Sequence, residues 1–209
     1  KPNKLFKNDL LCFLNLIGCS LIINGIIYAD RLIIYPILGS TSVSIYYGAT
    51  FTGKIISMIS GPVAAVVLAY AVSSDLKKVQ LNKKVILLCF LGFFMFFIVV
   101  LLFTPILLRI FYPEWADESI KYIFITTLTC FISGLSVIIN AIVLAKASIV
   151  KQSLITVIYA ATYVTMAIAL TNLFGLYGFC ISSLISELLV FILRMIITKK
   201  TIAKIQEGI

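Results

Sequence analysis

The sequence predicts an all-α membrane protein, a bundle of six transmembrane helices, and two observations support this fold class. First, residues 10–29 carry no charge over 20 positions, residues 85–108 and 122–145 none over 24, and residues 152–186 none over 35. A helix of about 20 apolar residues crosses the hydrocarbon core of a bilayer. Second, the chain is 62% hydrophobic and only 12% charged, with a mean hydropathy of +1.15. These values exclude a soluble globular fold.

Six helices are expected, separated by charged or turn-forming residues, and together they form one domain over residues 1–209. They cover residues 9–38, 43–72, 85–110, 120–145, 153–172 and 176–198. A Gly-Ser-Thr-Ser turn at 39–42 follows the first helix, and a polar loop at 73–84 follows the second. Asp117 and Glu118 lie near the start of the fourth helix, where negative charge favours the helix dipole. Lysines flank the next loop, and the two glycines of 172–178 separate the last two helices.

The lysines indicate how the chain crosses the membrane, because basic residues concentrate in cytoplasmic loops. Twelve of them fall in the two tails, the second loop and the fourth loop: Lys1, Lys4, Lys7, Lys77, Lys78, Lys83, Lys84, Lys146, Lys151, Lys199, Lys200 and Lys204. The opposite side holds only Arg109 and Lys121. We therefore expect a multi-pass protein of the plasma (inner) membrane with both termini in the cytoplasm. This distribution accounts for the net charge of +9 without a nucleic-acid partner.

Several kinds of enzyme are excluded by residues that the sequence lacks. The chain contains no histidine, which rules out the His-Glu-x-x-His zinc site and any Ser–His pair. A paired-aspartate protease would need two membrane-embedded aspartates, and Asp30 is the only one. The five cysteines lie in apolar spans without metal-ligand spacing: Cys12, Cys19, Cys89, Cys130 and Cys180. We expect no enzymatic activity, no metal and no cofactor.

Four charged side chains lie deep within the predicted spans, away from both membrane faces, where charge is costly and usually faces a protein interior or a water-filled cavity. At a rise of about 1.5 Å per residue from the turn at 39–42, Asp30 and Arg31 lie about 15 Å below the outer edge. On the same scale Lys54 lies about 20 Å below that turn, and Glu187 about 16 Å below the start of the last helix. All four are expected in one layer near the middle of the bilayer.

Polar residues accompany these charges at helical spacing, since positions i, i+3 or i+4, and i+7 share one face of a helix. Four stripes result: Asn24, Tyr28, Arg31 and Tyr35; Tyr47, Thr50, Lys54, Ser57 and Gly61; Gln152, Thr156, Tyr159 and Tyr163; and Ser183, Glu187 and Arg194. They predict a hydrated polar lumen. In the alternative interpretation, the four charges form buried ion pairs that hold helices in register. Arg194 is expected to snorkel inward.

Three stretches of the chain, in order along it, carry a family resemblance. They contain Asp30-Arg31, Leu38-Gly39, Val43-Ser-Ile-Tyr46 and Ala49; then Thr104-Pro105, Ile110-Phe111 and Trp115-Ala116; then Phe174-Gly-Leu-Tyr-Gly178 and Ile185-Ser-Glu187. These stretches resemble the second half of bacterial polysaccharide flippases of the O-antigen or teichoic-acid type, in the multidrug/oligosaccharidyl-lipid/polysaccharide exporter superfamily. The sequence departs from the family pattern at Tyr112-Pro113 and at Ser44, where glycine is usual.

The resemblance implies that the chain is one of two six-helix bundles in an alternating-access transporter, so we expect a longer protein whose N-terminal half is missing here. It implies translocation of a polyprenyl-pyrophosphate-linked oligosaccharide across the membrane for surface-polysaccharide synthesis. Arg31 and Lys54 would bind the anionic substrate, with Tyr28 and Tyr47 beside its sugars. Asp30 and Glu187 would bind a coupling proton or sodium ion. Expected partners are this glycan, membrane lipids and the missing half.

Other functions stay open on the sequence alone. A cation-coupled drug exporter of the same superfamily would need an acidic and aromatic cavity, which two cations beside two carboxylates disfavour. A membrane enzyme would need the residues that the chain lacks. A non-transporting membrane subunit would use the embedded charges to pair with helices of a partner.

Overall fold

The computed structural model describes residues 4–73, 83–146 and 149–206, and the regular structure within these ranges is entirely helical. Six helices follow one another: α1 (Lys4–Phe51), α2 (Gly53–Ser73), α3 (Lys83–Phe111), α4 (Ala116–Ile120), α5 (Ile123–Lys146) and α6 (Ile149–Gln206). The predicted all-α class is confirmed. Most of the predicted loop at 73–84 lies outside the described residues.

The two longest helices each reverse direction at a glycine. Gly39 in α1 has φ 81° and Gly175 in α6 has φ 62°, and residues with a Cβ rarely adopt this backbone conformation. The guanidinium carbon of Arg31 lies 4.9 Å from the ring centroid of Tyr47. Along one straight helix those residues would be about 24 Å apart. Both α1 and α6 are therefore helical hairpins. The predicted turns contain these glycines, but the residues around each glycine are helical.

Contacts between helices give the direction of the remaining segments. Ser119 donates to the carbonyl of Ile45 at 2.9 Å, and Thr126 to that of Ala49 at 2.8 Å. The chain after Gly39 thus runs parallel to α4 and α5. It runs antiparallel to α3, because the Thr52 hydroxyl lies 2.6 Å from that of Thr104 while Gly48 lies beside Leu108.

Two predicted helices are interrupted. The second breaks at Thr52, between α1 and α2, and the fourth breaks at residues 121–122, between α4 and α5. At both places the backbone bonds tighten to three-residue spacing: Ile55 N–H donates to Thr52 O at 3.1 Å, and Tyr122 N–H to Ser119 O at 3.0 Å. The chain direction continues through each break.

Among the described residues, four helices are long and apolar enough to cross a membrane: Phe13–Phe51, Leu91–Phe111, Ile123–Ala145 and Gln152–Lys200. A shorter apolar helix covers Gly53–Ala69. Large apolar side chains such as Leu32, Met58 and Leu173 are exposed, as expected for contact with lipid. The prediction of a multi-pass membrane protein with transmembrane helices is confirmed at this level.

The two hairpins share one apolar core, which positions the charged residues around it. Ile33 and Ile34 precede the reversal in α1, and Ile45 follows it. They pack with Tyr163 and Phe179, which lie on opposite arms of α6. The ring of Tyr46 meets Phe179 edge-on, with centroids 5.0 Å apart. Each arm of α1 therefore has one side against α6 and another side turned away from it.

Candidate functional site

Two cations meet at one aromatic ring on the α1 hairpin and the start of α2. The guanidinium carbon of Arg31 lies 4.9 Å from the ring centroid of Tyr47, and the Lys54 ammonium lies 4.3 Å from it. Both distances fall within the range of cation–π attraction. The two cations are thus within about 9 Å of each other. Arg31, Lys54 and Tyr47 are three of the predicted substrate-binding residues, and the structure brings them together.

Neither cation is neutralised by an ion pair. Within the part of the chain that the structure describes, the Arg31 guanidinium and the Lys54 ammonium have no hydrogen bond and no ion pair within 4 Å. The ion pair in this part of the chain joins Arg109 to Asp117 at 3.8 Å, and both side chains are exposed. Arg31 is exposed and Lys54 is half-buried. Their donors are therefore available to a ligand.

The remaining residues of the first stripe lie on the same open surface. Asn24, Tyr28 and Tyr35 are all exposed together with Arg31, and on the second stripe Ser57 and Gly61 are exposed as well. We call this surface the polar face; it consists of Asn24, Tyr28, Arg31, Tyr35, Tyr47, Lys54 and Ser57. Tyr28, the fourth predicted substrate-binding residue, also lies on the polar face. Among the described residues, its ring makes no contact with the ring of Tyr47. No part of the described chain, residues 4–73, 83–146 and 149–206, covers the polar face.

Asp30 points away from the polar face although it precedes Arg31 directly. Successive helical residues differ by about 100° in direction, and Asp30 is only 8% exposed. Its Oδ1 accepts a hydrogen bond from the Arg31 backbone N–H at 2.7 Å. It interacts electrostatically with Lys54 and Arg31, and with Tyr163 on α6. This candidate ion-binding carboxylate is therefore enclosed by the bundle.

Glu187, the other candidate carboxylate, belongs to a polar network between α5 and α6. The Tyr159 hydroxyl donates to its Oε1 at 2.7 Å, and the Ser133 hydroxyl also bonds to it. Arg194 lies about two turns further along α6 and interacts with Glu187 electrostatically. It donates to the Ser136 hydroxyl at 2.7 Å. These partners hold the half-buried carboxylate against α5 and the first arm of α6.

The expectation that Arg194 snorkels is wrong. The side chain is 7% exposed and lies between α5 and α6 rather than toward a membrane surface. Ser136 accepts from one guanidinium nitrogen, while Nε has no partner among the described residues. A nearby carboxylate and hydroxyl make this interior position tolerable for a cation.

The polar stripes of the two α6 arms face each other rather than a lumen. Tyr159 bonds to Glu187 and Tyr163 to Ser183 across the hairpin. Gln152 and Thr156 on the same stripe are buried as well. Of the four predicted stripes, the first is therefore open, and the second is open only in part, because Thr50 is buried and donates to the Tyr46 carbonyl. The polar side chains of α6 stabilise the bundle from within.

The four charges of the predicted layer surround one core but differ in access. Tyr163 lies near both Asp30 and Glu187, and Cys130 lies near both Glu187 and Lys54. Arg31 is exposed and Lys54 half-buried beside Tyr47 on the polar face, whereas Asp30 is buried and half-buried Glu187 is bonded to Tyr159 between the arms of α6. The four charged side chains therefore lie in one region, as predicted, but the positive and negative ones occupy different places in it. The sequence did not indicate this separation of charges by sign.

A cavity of about 280 Å³ opens beside the Tyr47 ring. It is lined by Arg31, Val43, Ser44, Tyr47, Tyr112 and Trp115. Tyr112 and Trp115 come from the segment between α3 and α4 and were not among the predicted site residues. Trp115 is the single tryptophan of the chain, and this rarity was the signal available in the sequence.

No protein-family model matches this chain, and neither a curated protein nor a solved structure does. Within the described residues, no group of three or more cysteine, aspartate and glutamate side chains is placed to hold a metal ion. The function therefore has to be argued from the polar face and its surroundings.

Proposed function

We propose that this chain is one half of a flippase that moves a lipid-linked oligosaccharide across the plasma membrane. The observation that carries the proposal is the pair of cations, Arg31 and Lys54, without ion pairs beside Tyr47 on the polar face. An Arg or Lys at the centre of a membrane helix costs about 2.5–3.5 kcal/mol on insertion scales. A surface that keeps two of them open to its surroundings is suited to water and to an anionic ligand.

In this proposal the polar face lines a cleft between two bundles. Six crossings would be made by the first arm of α1, its second arm continued by α2, α3, α4 continued by α5, and the two arms of α6. Both termini would then lie in the cytoplasm, as the lysine distribution predicts. A second six-helix half would stand opposite the polar face. Polar and charged residues in membranes normally face such cavities rather than lipid.

The chemistry of the cations suits a lipid-linked glycan. Arg31 presents a planar fork for phosphate or carboxylate oxygens, and Lys54 presents a mobile point charge. Both act in a site with less water than bulk solution, where charge attraction is stronger. Tyr28 and Tyr47 offer ring faces and hydroxyls to sugars. We assign Asp30 and Glu187 to the coupling ion, because Asp30 is buried and half-buried Glu187 accepts a hydrogen bond from Tyr159, so that neither belongs to the polar face.

The position of the charges favours this substrate over a cationic drug. A drug exporter would need its carboxylates on the open surface, where they would attract positive charge. Here Asp30 is 8% exposed and Glu187 is bonded to Tyr159, while Arg31 is exposed. The polar face would therefore repel a cationic drug and attract an anion.

The test uses cells that lack the gene and receive the full-length protein or its variants. The Arg31→Gln/Lys54→Gln double variant should accumulate lipid-linked glycan in the membrane and lose the glycan at the cell surface, at unchanged protein level. Arg109→Gln is the matched control, because Arg109 is exposed and its pairing with Asp117 is a surface ion pair of little energetic weight. Normal surface glycan in the double variant would refute the cation site.

A further inference from the structure

Beyond the anion site at Lys54, we propose that the cavity beside Tyr47 binds one acidic sugar ring of the substrate, a pyranose that carries a carboxylate. The inference rests on the proposed function only for placing this cavity at the outer end of the bundle. The class of ligand follows from the residues that line the cavity.

The size of the cavity limits what it can hold. Its volume of about 280 Å³ lies just below the roughly 300–1,000 Å³ of pockets for drug-sized ligands. One hexose ring matches this volume, whereas an oligosaccharide or a polyprenyl chain exceeds it. The cavity is open rather than enclosed, so the rest of a longer glycan can continue outside it.

The lining combines aromatic surface with a single cation. Tyr47, Tyr112 and Trp115 provide rings, and a pyranose has C–H faces that pack on such rings while its hydroxyls bond to polar tips. Ser44 adds a hydroxyl at the edge. A free phosphate or pyrophosphate would bind weakly in this cavity, because it has no apolar face and requires several hydrogen-bond donors. The deeper Lys54 does not line the cavity and is better placed for phosphate.

Arg31 is oriented for a carboxylate. Its guanidinium is held 4.9 Å from the Tyr47 ring centroid, and its N–H groups have no protein partner among the described residues. A planar guanidinium binds a carboxylate through two parallel hydrogen bonds. A sugar ring seated on the aromatic residues with its carboxylate at Arg31 uses the available groups of the cavity.

The cavity lies near the outer end of the bundle. Val43 and Ser44 follow the reversal at Gly39 by about one turn, and Tyr112 and Trp115 lie between α3 and α4. In the proposed topology both of these regions are on the outer side. The bound sugar would therefore be held where the glycan leaves the transporter.

Trp115 makes this site measurable, because its emission is the only tryptophan fluorescence of the chain. The full-length protein, with Trp115 as its only tryptophan, is placed in lipid nanodiscs and titrated with glucuronic acid, glucose, acetate and inorganic phosphate. Glucuronic acid should change the emission of Trp115 saturably and protect it from acrylamide quenching. Arg31→Gln should weaken this binding about tenfold or more, as expected for loss of a charge-assisted hydrogen bond. Arg109→Gln should bind as the parent does.

Each other outcome overturns the inference in a recognisable way. An equal response to acetate would mean that Arg31 binds carboxylates without a sugar subsite. An equal or stronger response to phosphate would assign the cavity to the lipid headgroup. No saturable response to glucuronic acid, in a chain whose helix content by circular dichroism is intact, would mean that the cavity is not a sugar site. The proposed flippase function is judged separately, since it depends on surface glycan in the Arg31→Gln/Lys54→Gln cells.

Discussion

A methyl group added at Gly178 should destabilise the α6 hairpin. A Cβ at this position would overlap the Leu170 carbonyl group on the opposite arm, and it would lie 2.7 Å from the carbonyl carbon and 2.9 Å from Cβ of Phe174. Carbon atoms in normal contact are about 3.5–4.0 Å apart. The arms of the hairpin would thus have to separate by about 1 Å. Overpacking of this kind costs about 1–3 kcal/mol.

The helix propensity of alanine opposes part of this cost. Replacing glycine by alanine inside a helix stabilises by about 0.5–1 kcal/mol when nothing obstructs the methyl group. Gly92→Ala in α3 is the matched control, because no atom lies within 4 Å of a Cβ built there. The difference between the two variants removes the common propensity contribution. It should equal the packing cost of about 1–3 kcal/mol, with Gly178→Ala the less stable.

The assay is unfolding of the purified chain in mixed micelles by increasing denaturing detergent, followed by circular dichroism. Gly92→Ala should unfold at the same detergent fraction as the parent or at a higher one, and Gly178→Ala at a lower one. If the two variants unfolded together, the arms of α6 would not approach each other as closely as the structure indicates. The reversal at Gly175 would then also have to be reconsidered.

The remaining predictions concern the polar face and the buried arginine. In a cysteine-free background, Tyr28→Cys should react quickly with a water-soluble thiol reagent and Leu102→Cys slowly, because the parent side chains are 60% and 66% exposed but only Tyr28 is on the polar face. Equal rates would place the polar face in lipid. Ser136→Ala should lower the stability by about 1–3 kcal/mol, since it removes an acceptor from buried Arg194, whereas exposed Ser57→Ala should be nearly neutral. Matching unfolding midpoints for these two serine variants would contradict the role of the Ser136 hydrogen bond.

The reversals of the chain were predictable because they depend on local chemistry. Gly39 and Gly175 lie in polar or glycine-containing segments between apolar runs, and both adopt the positive φ that glycine accepts. The interruptions at Thr52 and at residues 121–122 were not predictable in the same way. At Thr52 the side chain is bonded to Thr104, which is 52 residues distant in the sequence. Such tertiary contacts leave no periodic signal.

The set of charged residues was predictable, but their directions were not. Hydropathy identifies Asp30 and Arg31 as charges within a span, yet neighbouring positions on a helix differ by about 100°, and the sequence does not say which one faces the bundle. Arg194 could be placed only with knowledge of Ser136 on α5. The cavity joins two regions of the chain, around Ser44 and Trp115, whose proximity follows from the packing of the helices.

The separation of charges by sign has a consequence for the proposed transporter. If Asp30 and Glu187 were on the polar face, they would neutralise Arg31 and Lys54 and leave no field for an anionic substrate. Asp30 is buried and half-buried Glu187 is bonded to Tyr159, so the open surface stays positive while Asp30 still interacts with Lys54. A substrate anion at Lys54 and an ion at Asp30 would therefore each alter the binding of the other. Thermodynamic linkage makes that influence reciprocal. Coupling between substrate and ion would then require no direct contact between them, because both would act through the same lysine.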